Sequence, residues 1–452
     1  MINIKTDSRK VKKGDIFVAL KGISSDGHDY IESAIKNGAS KLIVEHGDYD
    51  IDYEIVKDSR KYLNEHLKVN YKKYLDEMTI IGVTGTNGKT TTAYLIYQAL
   101  NMLGKKCCYI GTIGYYLNKK VCNLPNTSPD ICEIYDMIIR AYDNGYKYVA
   151  IEVSSQGLSY ERFNGIEFDY AIFTNLTVDH LDYHKTMKNY ALAKQKLFNQ
   201  NRGINIINVD DEYNDYFKIN KYVTYGFNNS DYKIIDYKLS HDETFFKVEH
   251  DKKIYNIKSG LIGKYNIYNM LCAFIVLHLL EIDSDKIINI ISKLKCPDGR
   301  MDIIKYNSNS IIIDYAHTPD AMENIFETVK ELTKGNIYTV FGCTGDRDRN
   351  KRPVMMRLAC SNSKYVIVTS DDLHDEDFNQ IVNDMLKENN FNNYEICMNR
   401  GKAVKKAIDK LEENDILLIL GKGHERFIIV KDKKIPFNDK EEVEKIINKV
   451  NV

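Results

Sequence analysis

Residues 79–100, TIIGVTGTNGKTTTAYLIYQAL, constrain this chain more than any other stretch. Ile80, Ile81 and Val83 form the β-branched run of a buried strand. A glycine-rich turn over residues 82–88 follows, then Lys89, Thr90, Thr91 and Thr92. Ala93, Leu95, Ile96, Ala99 and Leu100 then recur at helical spacing. Strand, glycine loop and helix in that order predict a phosphate site, because loop N–H groups and a helix N-terminus both attract anions. Gly85, Thr86, Asn87, Gly88, Lys89, Thr90 and Thr91 are the expected ATP contacts. Lys89 would reach the terminal phosphates, and Thr90 would place its hydroxyl on Mg²⁺. The usual pattern has four residues between its glycines. Gly85 and Gly88 have only two, so Gly82 or Thr84 must supply the first turn.

Bulk properties exclude several classes. A length of 452 residues predicts two to four domains, and 28% charged with 43% hydrophobic residues is an ordinary globular balance. A net charge of −1 gives no reason to expect nucleic acid or an anionic membrane as partner. The N-terminus, MINIKTDSRKVKKGD, lacks the apolar core of a secretory signal, and the apolar run near residues 270–280 is too short to span a bilayer. Nine scattered cysteines without a C-x-x-C pair read as reduced core thiols of a cytoplasmic protein.

The fold class predicted is α/β in three domains. Residues 1–78 form a small N-terminal α/β domain, with strands near 15–20 and 41–44 and a helix near 30–37. Residues 79–298 form a central P-loop ATPase domain on a parallel sheet, with strands near 148–153, 170–174 and 204–209 and a β-rich insertion over 232–257. Residues 299–452, after the turn signal Cys296-Pro297-Asp298-Gly299, form a C-terminal Rossmann-like domain. Its strands lie near 310–315, 337–341, 365–369 and 416–420.

Polar clusters follow these strands. Glu152 ends a strand, where a carboxylate in phosphate-loop proteins holds Mg²⁺; a simple helix cap is the alternative. Asp179, His180, Asp182 and His184 crowd six residues, and lack the closed ligand set of a zinc site. A hydrated Mg²⁺ site using one histidine suits them better, and a solvated loop is the alternative. In the third domain Asp314-Tyr315-Ala316-His317-Thr318-Pro319-Asp320, residues 342–349 and Leu420-Gly421-Lys422-Gly423-His424-Glu425 all sit at carboxyl ends of strands, where open α/β sheets bind ligands.

The ordered set TDSRKVKKGDIFVALKG, GVTGTNGKTTT, NTSPD, EVSSQGL, FTNLTVDHLDYHKTMKNYALAK, GKYNIYN, GRMD, DYAHTPDAME, GDRDRNKRP and GKGHE resembles the ATP-dependent Mur ligases of peptidoglycan synthesis, most closely the MurE type. The resemblance covers nearly the whole chain. It implies an ADP-forming ligase that adds an amino acid to UDP-N-acetylmuramoyl-L-alanyl-D-glutamate, with ATP and Mg²⁺; a monomer with small-molecule substrates only is expected. By match to the family motifs, Glu152 and His180 would ligate Mg²⁺ and Lys194 would be carbamylated. Asn266, Asn269, Arg300, Asp314 and His317 would line the nucleotide. Ser8 and Arg9 would hold the uridine end. Asn126, Thr127, Ser128, Ser154 and Arg162 would hold the muramoyl dipeptide, and Arg347, Gly421 and Glu425 the incoming amino acid.

The chain departs from the family at one informative place. Relatives selecting diaminopimelate carry D-N-P-R where Asp371-Asp372-Leu373-His374 stands here. Histidine cannot grip a distal carboxylate as a bidentate arginine does, and the extra acid, Asp372, would favour a free ammonium. Lysine, ornithine or another amine therefore competes with diaminopimelate. Gln156, Tyr160 and Thr344 also differ from the family's common residues. A paralogue acting on a different acid or amine, and a silent ATP-binding relative, are the alternatives.

Overall fold

Short β-branched runs and well-capped amphipathic helices alternate along the chain, and this alternation sets the fold of the computed structural model. It describes residues 2–22, 25–240, 242–387 and 390–450. Two compact units emerge, and the chain passes between them more than once. The first comprises Met1–Thr84, Leu100–Ala171 and Lys196–Ile204; the second comprises Gly85–Ala99, Ile172–Gln195 and Asn205–Val452.

In the first unit, strands Ile4–Lys5, Ile16–Val18, Lys41–Val44 and Tyr53–Ile55 pair in that order, all parallel. Phe17, Ala34, Leu42 and Val44 form their core. The strand Thr79–Thr84 pairs with Tyr148–Glu152, which pairs in turn with Cys107–Gly111, again parallel. Helix Ile131–Asp143 starts in a capping box: Asp130 accepts from Cys132 N–H at 3.0 Å and Glu133 reaches back to the Asp130 N–H.

In the second unit, the segment predicted as a β-rich insertion forms Tyr232–Leu239, Thr244–His250 and Lys253–Ser259, an antiparallel meander. Helix Lys264–Leu279 is apolar on nearly all sides because it is enclosed; Met270 to Leu277 have no exposed surface. A six-stranded sheet runs Asp302–Tyr306, Asn309–Asp314, Ile416–Leu420, Ile337–Phe341, Tyr365–Val368, Tyr394–Ile396, antiparallel only at its first pair. Its register aligns Asp314, Leu420, Phe341 and Val368 in one row. The polar segments that follow these four residues therefore emerge side by side at one edge of the sheet.

All nine cysteines are free thiols. Among the described residues, no helix is long and apolar enough to cross a membrane.

Candidate active site

The glycine loop is tied down by hydrogen bonds from the chain after Phe173. Asn175 accepts from Asn87 N–H at 2.8 Å through its side chain and from Thr86 N–H at 2.8 Å through its carbonyl. Thr174 Oγ1 donates to the Asn87 carbonyl at 2.6 Å. Gly85 has φ +152°, and a Cβ there would lie 1.9 Å from Thr174 Oγ1. Gly85→Ala should therefore deform the loop and weaken ATP binding more than about tenfold, read by calorimetry, a substitution that φ and space both forbid.

Two lysines converge on one loop carbonyl. Lys89 Nζ donates to Gly85 O at 3.0 Å and Thr86 O at 2.7 Å, and Lys194 Nζ donates to the same Gly85 O at 2.7 Å. Burial, and then the neighbouring Lys89, push the Lys194 ammonium well below its ordinary range. His180 stands in the left-handed region (φ 54°) with Nε2 3.4 Å from Asp179. Burial, with Lys194 and Lys89, outweighs Asp179 and keeps His180 neutral, the form a metal ligand needs.

A cavity of about 360 Å³ opens beside the loop, walled by Asn87 and Gly88, by Asn266 and Asn269, and by Arg300, Asp314 and His317. Asn269 accepts from Thr92 Oγ1 at 2.9 Å and donates to Asn266 at 3.0 Å, so the asparagine pair is joined to the loop helix. Arg300 lies over the Tyr315 ring at 4.5 Å and its Nη2 points to Thr90 Oγ1 at 3.5 Å. Asp314 accepts from Met301 and Ala316 N–H at 2.7 and 2.8 Å. The cavity-lining Thr177 Oγ1, Tyr265 hydroxyl and Arg300 Nε are buried without a hydrogen-bond partner. A glycine loop that excludes Cβ atoms, the Arg300 guanidinium beside Thr90 and orphaned polar atoms fit a nucleoside triphosphate.

Burial, aided by Lys351, lowers His317 to about 4. A histidine held neutral in the fold but titrating near 6.5 when unfolded makes the unfolded state bind more protons below that pH. Stability should fall as pH drops from about 6.5 to about 4 and then level off. His317→Gln should make that fall in melting temperature shallower.

Other expected residues lie in the first unit. Glu152 is fully buried, accepting from the Tyr109 hydroxyl, from Thr112 N–H at 2.8 Å and from Thr112 Oγ1 at 3.0 Å. Ser128 bonds to the Glu152 carbonyl and accepts from Ser154 N–H, while Arg162 donates to the Ser128 carbonyl. Thr127 meets Thr112 at 3.0 Å. These five expected residues form one connected group; Asn126 is exposed nearby in sequence. Ser8 is buried, whereas the Arg9 side chain is exposed and folded back on Asp7.

At the strand ends of the six-stranded sheet, Asp371, Asp372 and Glu425 gather around Lys422. Gly421 holds φ +110°, which L side chains rarely adopt, and a Cβ there would lie 2.5 Å from Asp371 Oδ2 and force it to move. Asp372 is not the bare charge expected for an incoming ammonium: it already accepts from Lys422 and from Ile429 N–H. The His374 backbone is pinned to Ile429 and Lys431, and Arg347 is exposed.

At the cavity Asp320 was legible within its strand-end cluster but its partner was not, and Asp210 and Asp211 escaped the sequence reading. Asp320 accepts from Asn87 Nδ2 at 2.6 Å across 233 residues of chain. Asp210 gathers Phe227 N–H, Asn228 N–H and the Tyr268 hydroxyl, and burial raises Asp211 to about 6. Two acids directly after a strand, in IINVDDE, were the available signal.

Three family models match successive parts of the chain. Residues 2–78 match the Mur ligase family catalytic domain, 83–277 the Mur ligase middle domain, and 299–423 the Mur ligase glutamate ligase domain. A UDP-N-acetylmuramoyl-L-alanyl-D-glutamate--2,6-diaminopimelate ligase of Clostridium perfringens is 41% identical, covering 98% of this chain and 94% of the relative. Its counterpart in Fusobacterium nucleatum is 40% identical, over 97% and 92%. A solved structure of a ligase with that name is 31% identical, with TM-score 0.70, over 100% of this chain and 95% of the other. The MurF ligase of Thermotoga maritima in complex with ADP shares the fold at TM-score 0.71 with 18% identity, over 99% and 97%. Identity at this level along nearly the whole length makes the chain a member of the Mur ligase family.

Proposed function

We propose that this chain is an ATP-dependent ligase that joins an amino acid to UDP-N-acetylmuramoyl-L-alanyl-D-glutamate in cytoplasmic peptidoglycan synthesis. The observation that carries this reading is the cavity beside the glycine loop, where Arg300 lines the wall and Lys89 stands on the adjoining loop carbonyls, an arrangement that suits a triphosphate. Relatives named for the diaminopimelate reaction support the acceptor and the amine class. In this reading residues 1–78 bind the UDP end, through Ser8 and Arg9. Residues 79–298 bind ATP, and residues 299–452 bind the amino acid.

The acceptor carboxylate is a poor acyl donor. Transfer of the γ-phosphoryl group of ATP to it gives an acyl phosphate and ADP. The amine then attacks the acyl carbon, and phosphate leaves. Lys89 neutralises charge between two anions that would otherwise repel. The loop N–H groups and Arg300 fix the triphosphate, and Asn266 and Asn269 the base. Thr90, Glu152 and His180 would hold Mg²⁺, which supplies further charge neutralisation when bound. Lys194, with its ammonium disfavoured, is suited to exist as the free amine that carbamylation requires. The Thr127, Ser128, Ser154 and Arg162 group orients the dipeptide, while Asp371, Gly421 and Glu425 receive the amino acid.

The test is phosphate release by the purified protein with ATP, Mg²⁺ and the UDP-linked dipeptide. Each standard amino acid, ornithine and diaminopimelate is supplied singly, with product mass as the readout. Release should require both the dipeptide and one amino acid. Release that ignores the dipeptide would transfer the reading to a ligase of another acid.

A further inference from the structure

The strand-end pocket encloses a cation to which the proposed function assigns no task. Lys422 follows the strand Ile416–Leu420, and its side chain has no exposed surface. Its Nζ lies 2.7 Å from Asp372 Oδ1, 2.5 Å from Glu425 Oε2 and 3.6 Å from Asp371 Oδ1. Asp372 Oδ1 also accepts from Ile429 N–H at 2.8 Å. Oxygens of all three carboxylates lie within 4.8 Å of one another.

The surroundings add little positive charge. Arg400 acts on Asp371 but is bidentate to Asp439, at 2.8 Å for each bond. His317 also acts on Asp371, and its own burial keeps it neutral. The Tyr315 hydroxyl faces Glu425 at 3.3 Å. Burial pushes Asp371 up, but Lys422 and Arg400 outweigh it and hold the carboxyl below its usual range. One enclosed ammonium therefore serves three carboxylates.

This arrangement changes the meaning of the acid at position 372. A second acid facing the substrate would draw amino acids with a cationic side chain. Here its charge is already met by an internal lysine and a backbone donor. We propose that Lys422 is the specificity-determining residue of this pocket: it neutralises Asp372, so that the extra acid does not select for a cationic amino acid, and it fixes Glu425 for the incoming amine. The inference rests on reading this pocket as the amino-acid site.

Three variants test it, with kcat/KM for lysine and for diaminopimelate as the readout. In Asp372→Asn both values fall together and their ratio stays within about twofold, because the lost charge never faced the substrate. In Lys422→Met the ratio moves at least about tenfold toward lysine, because a substrate ammonium can now pair with the unmasked carboxylates. In Lys422→Met with Asp372→Asn the ratio returns toward the parent. A tenfold change in Asp372→Asn alone, or an unchanged ratio in folded Lys422→Met, would overturn the proposal. If Lys422→Met does not fold, Asp372→Asn decides alone. Absence of any dipeptide-dependent release by the parent would sink the ligase reading instead. Calorimetric binding of lysine and diaminopimelate to the same variants then reads the same ratio without turnover.

Discussion

Replacing Lys89 with methionine should lower nucleotide-dependent phosphate release about 10²–10³-fold while leaving the melting temperature within a few degrees of the parent. The two parts of this expectation have different origins. Catalytic loss follows from removing a fixed positive charge where phosphoryl transfer brings two anions together. Stability survives because the Lys89 ammonium bonds to carbonyls of its own loop, at Gly85 and Thr86. The Thr174 and Asn175 bonds to Asn87 remain when it is gone. Retention of a tenth or more of the parental rate would mean that the loop does not carry the reaction.

The largest stability effect should come from Arg400→Met. Arg400 and Asp439 are both fully buried and joined by two bonds of 2.8 Å, and Arg400 also donates to the carbonyls of Ser370 and Leu420. Removing the guanidinium strands a buried carboxylate and two carbonyls, a change that costs about 3–5 kcal/mol. A urea titration followed by circular dichroism should show the loss. Arg400→Met combined with Asp439→Asn should recover part of it, because no charge is then left unpaired. A double variant as unstable as the single one would mean that packing, not charge, dominates.

Much of the fold was legible because it rests on local periodicity. The run near 148–153 became the strand Tyr148–Glu152, the helix near 30–37 became Ile31–Lys36, and the alternating stretch over 232–257 became three strands. The loop residues 85–91 were legible too, since a strand, glycines and Lys-Thr before a helix have a physical meaning together. What escaped was set by distance along the chain. Nothing local ties Asn87 to Asp320. Lys422 stood in a recognised motif, but only the sheet register brings the segments after Leu420 and Val368 to the same end of the sheet, on either side of Phe341, and so sets its ammonium against Asp372. Asp372 shows the same limit: a charge can be counted in a sequence, but its partners, here Lys422 and the Ile429 N–H, cannot.

The cysteines give the molecule a built-in clock. Burial pushes Cys108, Cys272 and Cys343 up to about 12, and raises Cys107 and Cys132 as well. Such thiols stay silent toward alkylating reagents until the segment around them opens. Cys107, Cys108 and Cys132 belong to one unit, and Cys272, Cys343 and Cys360 to the other. Peptide-resolved labelling over time would thus time the opening of each unit separately, with native residues as reporters and no engineered probe.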